Sequence, residues 1–282
     1  MKQRLLVTGG SGFLGSHLLH QAQNFTATGT LHCTAATSIP NVSYHVCDLL
    51  QPQEVSILLD RIKPDIIIHT ACSDQGGNLS AIAPAAGILA AQAAERDIRL
   101  IHLSTDQVFD GKTAPYHENS ETNPLNPYGT AKSQAEDLVR SLNTKAIIVR
   151  TSLLYDLRNP DRQTSQLIQT TKTEEPYNLF TDEFRCPIWV ENFAKVLLEL
   201  ARNDYEGTLN VGGPESLNRW ELGMKLLRHF DVSPTPNITK GTIQESGLVR
   251  PHNLTLDSST AQQLLTTPLL SIEEVQSILK NR

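Results

Sequence analysis

The sequence predicts an α/β protein: a doubly wound parallel sheet with a smaller, interleaved C-terminal lobe. Three observations carry this reading. Short apolar runs alternate with helical periodicity through the first 150 residues, the rhythm of crossovers on a sheet covered on both faces. The first run passes straight into Gly9-Gly10-Ser11-Gly12 and then a helical pattern. After Arg150 the rhythm breaks, and residues 156–188 read as polar and irregular, punctuated by Asn159-Pro160 and Glu175-Pro176.

The strands expected in order are Arg4–Thr8, Ala27–Cys33, Val42–Val46, Asp65–His69, Arg99–Ser104 and Lys145–Arg150, each a short apolar or β-branched run. Between them fall helices over Gly12–Gln23, Pro52–Ile62, Ser80–Arg96 and Pro127–Leu142. Asn126-Pro127 supplies an N-cap and a proline at the first helical position, where its missing N–H costs nothing. A helix over Glu191–Asn203 and a strand over Gly207–Val211 return to the sheet. A helix over Leu217–Phe230 then leads to the turn Ser233-Pro234-Thr235-Pro236. Ser271-Ile272-Glu273-Glu274 reads as a capping box opening the last helix. The expected organisation is a dinucleotide-binding domain over residues 1–155, rejoined by 189–212, and a mainly substrate-binding lobe over 156–282.

Bulk properties exclude several classes. The chain has 282 residues, 39% hydrophobic and 19% charged, ordinary for a globular protein. Its net charge is −6 with no basic block, which argues against nucleic acid as a partner. No run of about 20 apolar residues exists to span a membrane. The start, Met-Lys-Gln-Arg before Leu5-Leu6-Val7, has no signal-peptide core, and the four cysteines lack C-x-x-C spacing. The expectation is a cytoplasmic protein with reduced thiols and no bound metal.

A strand ending in glycines and feeding a helix is an anion site, because N–H groups and the helix dipole converge there. Gly9, Gly12 and Gly15 recur at spacing three, and Gly10-Ser11-Gly12-Phe13-Leu14-Gly15 fits G-x-G-x-x-G. This is the fingerprint of a Rossmann dinucleotide site. An acidic residue after the second strand would bind the ribose 2′-OH and favour NAD(H). Gly29-Thr30-Leu31-His32-Cys33-Thr34-Ala35-Ala36 has no carboxylate, so NADP(H) is the expected cofactor. His32 reads either as a polar contact there or as an exposed strand end, and Asp48 as an adenine contact or a helix N-cap. The expected cofactor set is Gly9, Ser11, Gly12, Phe13, Leu14, Gly15, His32, Asp48, Leu49, Thr70 and Ala71, with Tyr128 and Lys132.

Tyr128 and Lys132 stand four apart on one helix face. A phenol with its ordinary pKa of about 10 exchanges protons poorly near neutrality. A neighbouring ammonium favours the phenolate and lets it trade a proton as hydride moves. Of six tyrosines, Tyr128 alone has Lys at i+4. Ser104-Thr105 ends the fifth strand, where ligands of doubly wound folds sit. Thr105 is the candidate to orient the substrate oxygen, with Ser104 in reserve. Both hydroxyls also fit a role satisfying strand-end backbone groups.

Together these residues resemble the extended short-chain dehydrogenase/reductase superfamily and, within it, the dTDP-4-dehydrorhamnose reductase family. The likeness rests on Thr8–Gly15, Lys63–His69, Ser104–Gly111, Tyr128–Lys132, Arg150–Tyr155 and Arg250-Pro251-His252-Asn253-Leu254-Thr255-Leu256-Asp257. It implies a Thr105–Tyr128–Lys132 catalytic set, a nicotinamide cofactor and a nucleotide sugar reduced at C4. Three positions depart from the family pattern. Gln107 replaces a usual Tyr, Ala71–Asn78 differs after the fourth strand, and a common Asn is missing near Pro84.

The expected activity is therefore NADPH-dependent reduction of a nucleoside-diphosphate 4-keto-6-deoxy sugar by a monomer or homodimer. Ser104, Gln107, Arg185, Trp189 and Arg250 are the substrate candidates. The two arginines suit a diphosphate, and surface or inter-lobe salt bridges are their competing reading. Trp189 could equally be packing. One alternative is a cofactor-binding regulatory subunit like the β subunit of methionine adenosyltransferase, which Arg185–Val190 and Arg-Pro-x-Asn fit about as well. Another is an epimerase. A dehydratase would need an acid and a base after Thr105, and Asp106-Gln107 offers no base.

Overall fold

A computed structural model describes residues 1–31, 39–40, 42–71 and 78–281. The chain runs β1 (Arg4–Thr8), α1 (Phe13–Gln21), β2 (Thr26–Leu31), β3 (Ser43–Val46), α2 (Pro52–Ile62), β4 (Ile66–His69), α3 (Ile82–Glu95), β5 (Arg99–Thr105), α4 (Pro127–Leu142) and β6 (Ile147–Thr151). Next come β7 (Leu154–Tyr155), α5 (Arg162–Thr170), β8 (Tyr177–Phe180), β9 (Phe184–Arg185), β10 (Ile188–Trp189), α6 (Val190–Leu200) and β11 (Gly207–Val211). The remainder is β12 (Leu217–Asn218), α7 (Arg219–His229), β13 (Ile238–Gly241), α8 (Ile243–Ser246), α9 (Ser259–Leu264) and α10 (Ile272–Lys280). Two compact units result: Met1–Thr105 with Pro127–Arg150 and Ala194–Leu209, and Asp106–Asn126 with Thr151–Phe193 and Asn210–Arg282.

The first unit is built on a seven-stranded sheet in the order β11-β6-β5-β4-β1-β2-β3. β1 runs parallel to both β2 and β4, with Val7 opposite Gly29 on one side and Ile68 on the other. From β1 the chain works outward to β3, then crosses back to β4. That reversal opens a crevice beyond the carboxyl ends of β1 and β4, where ligands of such folds bind. Leu5, Leu6, Val7, Ile67 and Ile68 are fully buried. Their continuous apolar runs follow from helices covering both sheet faces. Ala83, Ala86, Ala90 and Ala93 of α3 share one core with Ala131, Ala135 and Val139 of α4.

The second unit uses short pairings instead: β7 with β10, β8 with β13, and β9 antiparallel to β12. One apolar cluster joins Leu167, Leu179, Leu227 and Ile238. Another joins Val108, Phe109, Tyr116, Leu254 and Leu256, with Phe109 and Tyr116 stacked at 4.1 Å.

Three expectations are corrected here. Residues 156–188 are not irregular: they form α5, capped by the Asp161 carboxylate, and β8, β9 and β10. These strands are two to four residues long, too short to show a period. Residues 106–126 join the second unit rather than the first, since Tyr116 donates to the Thr255 carbonyl and accepts from Asp257 N–H, both at 2.8 Å. Leu217–Asn218 is a strand, and Asn218 then caps α7 in a capping box with Glu221.

Candidate active site

The glycine turn after β1 uses each glycine differently. Gly9 adopts φ 69°, and a Cβ there would lie 2.8 Å from Ala71 Cα. A Cβ on Gly15 would lie 2.2 Å from the Gly9 carbonyl oxygen, so only glycine lets α1 approach the turn. Gly12 is the N-cap of α1 and no side chain caps that end, which leaves its first N–H groups to a ligand. The turn opens onto a cavity of about 550 Å³.

Gly9, Ser11, Gly12, Asp48, Leu49, Thr70 and Ala71 line that cavity, as the sequence suggests. Phe13, Leu14 and Gly15 do not; they belong to the turn and to α1 behind it. His32 lies outside the described residues. Asp48 is not the N-cap of α2, a position held by Gln51; its carboxylate accepts from Leu50 N–H at 3.0 Å. Thr30, Asn78, Ile82 and Ala85 also line the cavity and were missed. The signal for them was positional: Thr30 stands at a strand's carboxyl end, and Ile82 and Ala85 share one face of α3. Cys47 lines it too, and burial, reinforced by Glu54 and Asp48, pushes its thiol up to about 11. The glycine turn and the uncapped start of α1 give this cavity the backbone donors that a dinucleotide's pyrophosphate requires.

On α4, Tyr128, Lys132 and Glu136 recur every four residues and so share the face turned to β5. Tyr128 is half-buried against the core. Lys132 is buried, and its ammonium donates to the Leu103 carbonyl of β5. Burial, with help from that ammonium, pushes His69 down to about 3; His102 is pushed well below its ordinary value in the same way. Thr105 is buried at the end of β5. Ser104 is turned elsewhere: its hydroxyl donates to Glu136, a fully buried carboxylate also held by Arg150 at 2.7 Å. That pairing replaces the substrate contact expected of Ser104.

The remaining substrate candidates lie in the second unit. Gln107 accepts from the Asn126 amide at 3.0 Å. Arg185 is buried and pairs with Asp106 at 2.8 Å. Arg250 pairs with Glu183 at 3.2 Å while its side chain stays 46% exposed. Trp189 is a core residue rather than a site lining: it is 2% exposed, and its indole N–H donates to Asp156 at 3.3 Å. Among the described residues no helix is long and apolar enough to cross a membrane, and no cluster of metal-ligating side chains occurs.

Comparison with known proteins decides the family. The family model described as RmlD substrate binding domain matches residues 3–281. The chain belongs to this family. Its membership makes it an oxidoreductase of the RmlD-like reductases. A probable low-salt glycan biosynthesis reductase, Agl14, of Haloferax volcanii is 32% identical over 238 residues, 78% of either chain. Methionine adenosyltransferase 2 subunit beta of Bos taurus is 28% identical over 285 residues, 93% of this chain and 82% of that one. Among solved structures, the dTDP-4-dehydrorhamnose reductase of Bacillus anthracis in complex with NADP superposes with a TM-score of 0.83 at 23% identity. It covers 100% of this chain and 99% of its own, which shows a shared fold.

Proposed function

We propose that this RmlD-like protein is an NADPH-dependent reductase acting on the C4 ketone of a nucleoside-diphosphate 4-keto-6-deoxy sugar. The observation that carries this is the buried Lys132 on the same helix face as Tyr128, held to β5 two residues before Thr105, in the unit that also contains the glycine cradle. Gly9, Ser11 and Gly12 would hold the pyrophosphate, and Asp48, Leu49, Thr70 and Ala71 would line the rest of the cofactor. A bound nicotinamide supplies hydride.

The chain's own residues handle the proton. The role proposed for Lys132, one helical turn on, is to favour the phenolate form of Tyr128 through its positive charge. Tyr128 then gives its proton to the carbonyl oxygen of the substrate, which Thr105 orients through its hydroxyl. With cofactor bound, Lys132 would also be the residue to hold the nicotinamide ribose. Arg185, Arg250 and Gln107 are proposed to meet the substrate. The NADP(H) preference is supported by the absence of any carboxylate in Gly29–Ala36.

A second reading, a regulatory subunit that binds cofactor without turnover, is favoured by the methionine adenosyltransferase likeness and by Gln107 where the reductases usually carry Tyr. NADPH oxidation with a panel of 4-keto nucleotide sugars separates the two. The reductase reading expects turnover in the wild type. Tyr128→Phe should lose it by at least ~10²-fold, the scale of a lost general acid, with cofactor affinity nearly unchanged. Tight cofactor binding with no turnover on any sugar selects the subunit. Undiminished turnover by Tyr128→Phe removes that phenol from the chemistry.

A further inference from the structure

We infer that Glu183 is a positioning residue of the subsite for the substrate's diphosphate, holding the Arg185 and Arg250 guanidiniums in place; this rests on the nucleotide-sugar reading above.

Three distant segments meet at β9. Its antiparallel pairing sets Leu217 opposite Arg185, so Arg219 at the start of α7 follows closely. Phe184 N–H donates to the His252 carbonyl at 2.7 Å and Leu254 N–H to the Phe184 carbonyl at 3.0 Å, which brings in the segment carrying Arg250. Glu183 immediately precedes this junction. Its side chain is 3% exposed. One carboxylate oxygen accepts from Arg185 Nη2 at 3.4 Å, the other from Arg250 Nη1 at 3.2 Å.

Arg185 is anchored on its far side by Asp106, whose second oxygen accepts from Ser152 at 2.6 Å. Asp106 follows Thr105 directly in the chain. The Arg185 Nε is buried and has no partner among the described residues. Arg250 lies over the Phe180 ring at 5.5 Å. Arg219 donates to Gln163 at 2.9 Å. Burial pulls its guanidinium down from the usual range, Glu183 pulls it back up, and Arg185 and Arg250 push it down again. Glu183 is thus the carboxylate that the Arg185 and Arg250 guanidiniums share.

Two effects of this carboxylate oppose each other. Its negative charge repels a phosphate. Against that, both its oxygens are occupied and buried, and it fixes long side chains that would otherwise be ordered only when ligand arrives. Ordering one such side chain on binding weakens affinity by an amount on the order of tenfold. Guanidiniums held in place present a bidentate face to phosphate. Positioning is inferred to outweigh repulsion, and the sign of the effect is measurable.

The test is calorimetric titration of the whole protein with thymidine diphosphate, uridine diphosphate and the matching free nucleosides. Glu183→Gln should weaken diphosphate binding about tenfold and leave nucleoside and NADPH affinities unchanged. With a turned-over sugar nucleotide, KM should rise and kcat stay within about twofold. Glu183→Asp keeps the counter-charge for the buried Arg185 but shortens the reach to Arg250. It should fold even if the Gln variant does not, and weaken diphosphate binding several-fold. In an Arg250→Gln background, Glu183→Asp should cost less than it does alone. Unchanged or tighter diphosphate binding, or an equal loss for nucleoside and diphosphate, overturns the role of Glu183. A wild type that binds neither diphosphate overturns the nucleotide-sugar reading and this inference together.

Discussion

His69 and His102 face each other across β4 and β5, with ring centroids 5.2 Å apart. Thr8 meets His69 Nδ1 at 2.6 Å, whereas neither nitrogen of His102 has a partner among the described residues. Both imidazoles are held neutral by burial and by the Lys132 charge. The unfolded chain takes up a proton at each as pH falls through about 6.5, and the folded chain does not. Their contribution is therefore complete above about pH 6.5 and is lost as pH falls toward 3. At pH 5.5 the loss is about 1.4 kcal/mol per histidine. Urea unfolding at pH 7.5 and pH 5.5 should differ by about 2–3 kcal/mol, and His102→Leu should halve that difference. Equal stabilities at the two pH values would mean that these rings are not buried neutral. At this scale the shared helix face of Tyr128 and Lys132 and the glycine turn were legible because each depends on local spacing. Glu136 and Glu183 were not, because their partners Ser104, Arg150 and Arg250 are distant in sequence.

At the scale of elements, α4 was read to the residue, since Pro127 opens it and its apolar stripe faces α3. The same stripe hides a second requirement. Glu136 is fully buried, with its carboxylate shared by Ser104 and Arg150. Removing one partner of a buried pair strands the other, at about 3–5 kcal/mol. Glu136→Ala should lose that much in denaturant unfolding. Arg140→Ala should lose under about 1 kcal/mol, because the Arg140 side chain is 50% exposed and its pairings are largely solvated. Similar costs for the two would show that the buried network does not hold α4 against β5 and β6. By contrast, β8, β9, β12 and β13 were illegible as elements. Each exists because a partner some 30 to 60 residues away supplies its ladder.

Across the whole molecule, the chain enters each compact unit more than once, and the excursion over 106–126 leaves the first unit between Thr105 and Tyr128. Cofactor binding to the first unit should stabilise the fold by linkage. Ligand at 100 times its Kd adds about 2.7 kcal/mol. At equal concentration NADPH should raise the unfolding midpoint more than NADH, with tenfold weaker NADH binding costing about 1.4 kcal/mol of that gain. Equal shifts from the two cofactors would remove the proposed preference for the 2′-phosphate.

By itself the sequence determined the doubly wound sheet, the glycine cradle and the Tyr–Lys pair. Each is written in residues near one another, through a strand run, a turn that demands glycine, or one turn of helix. Tertiary structure alone decided that Ser104 serves Glu136, that Trp189 belongs to a core, and that Glu183 joins Arg185 to the distant Arg250. Those outcomes depend on which distant groups share a buried space. There an unpaired charge or hydroxyl is costly, so each takes the nearest partner that the fold provides.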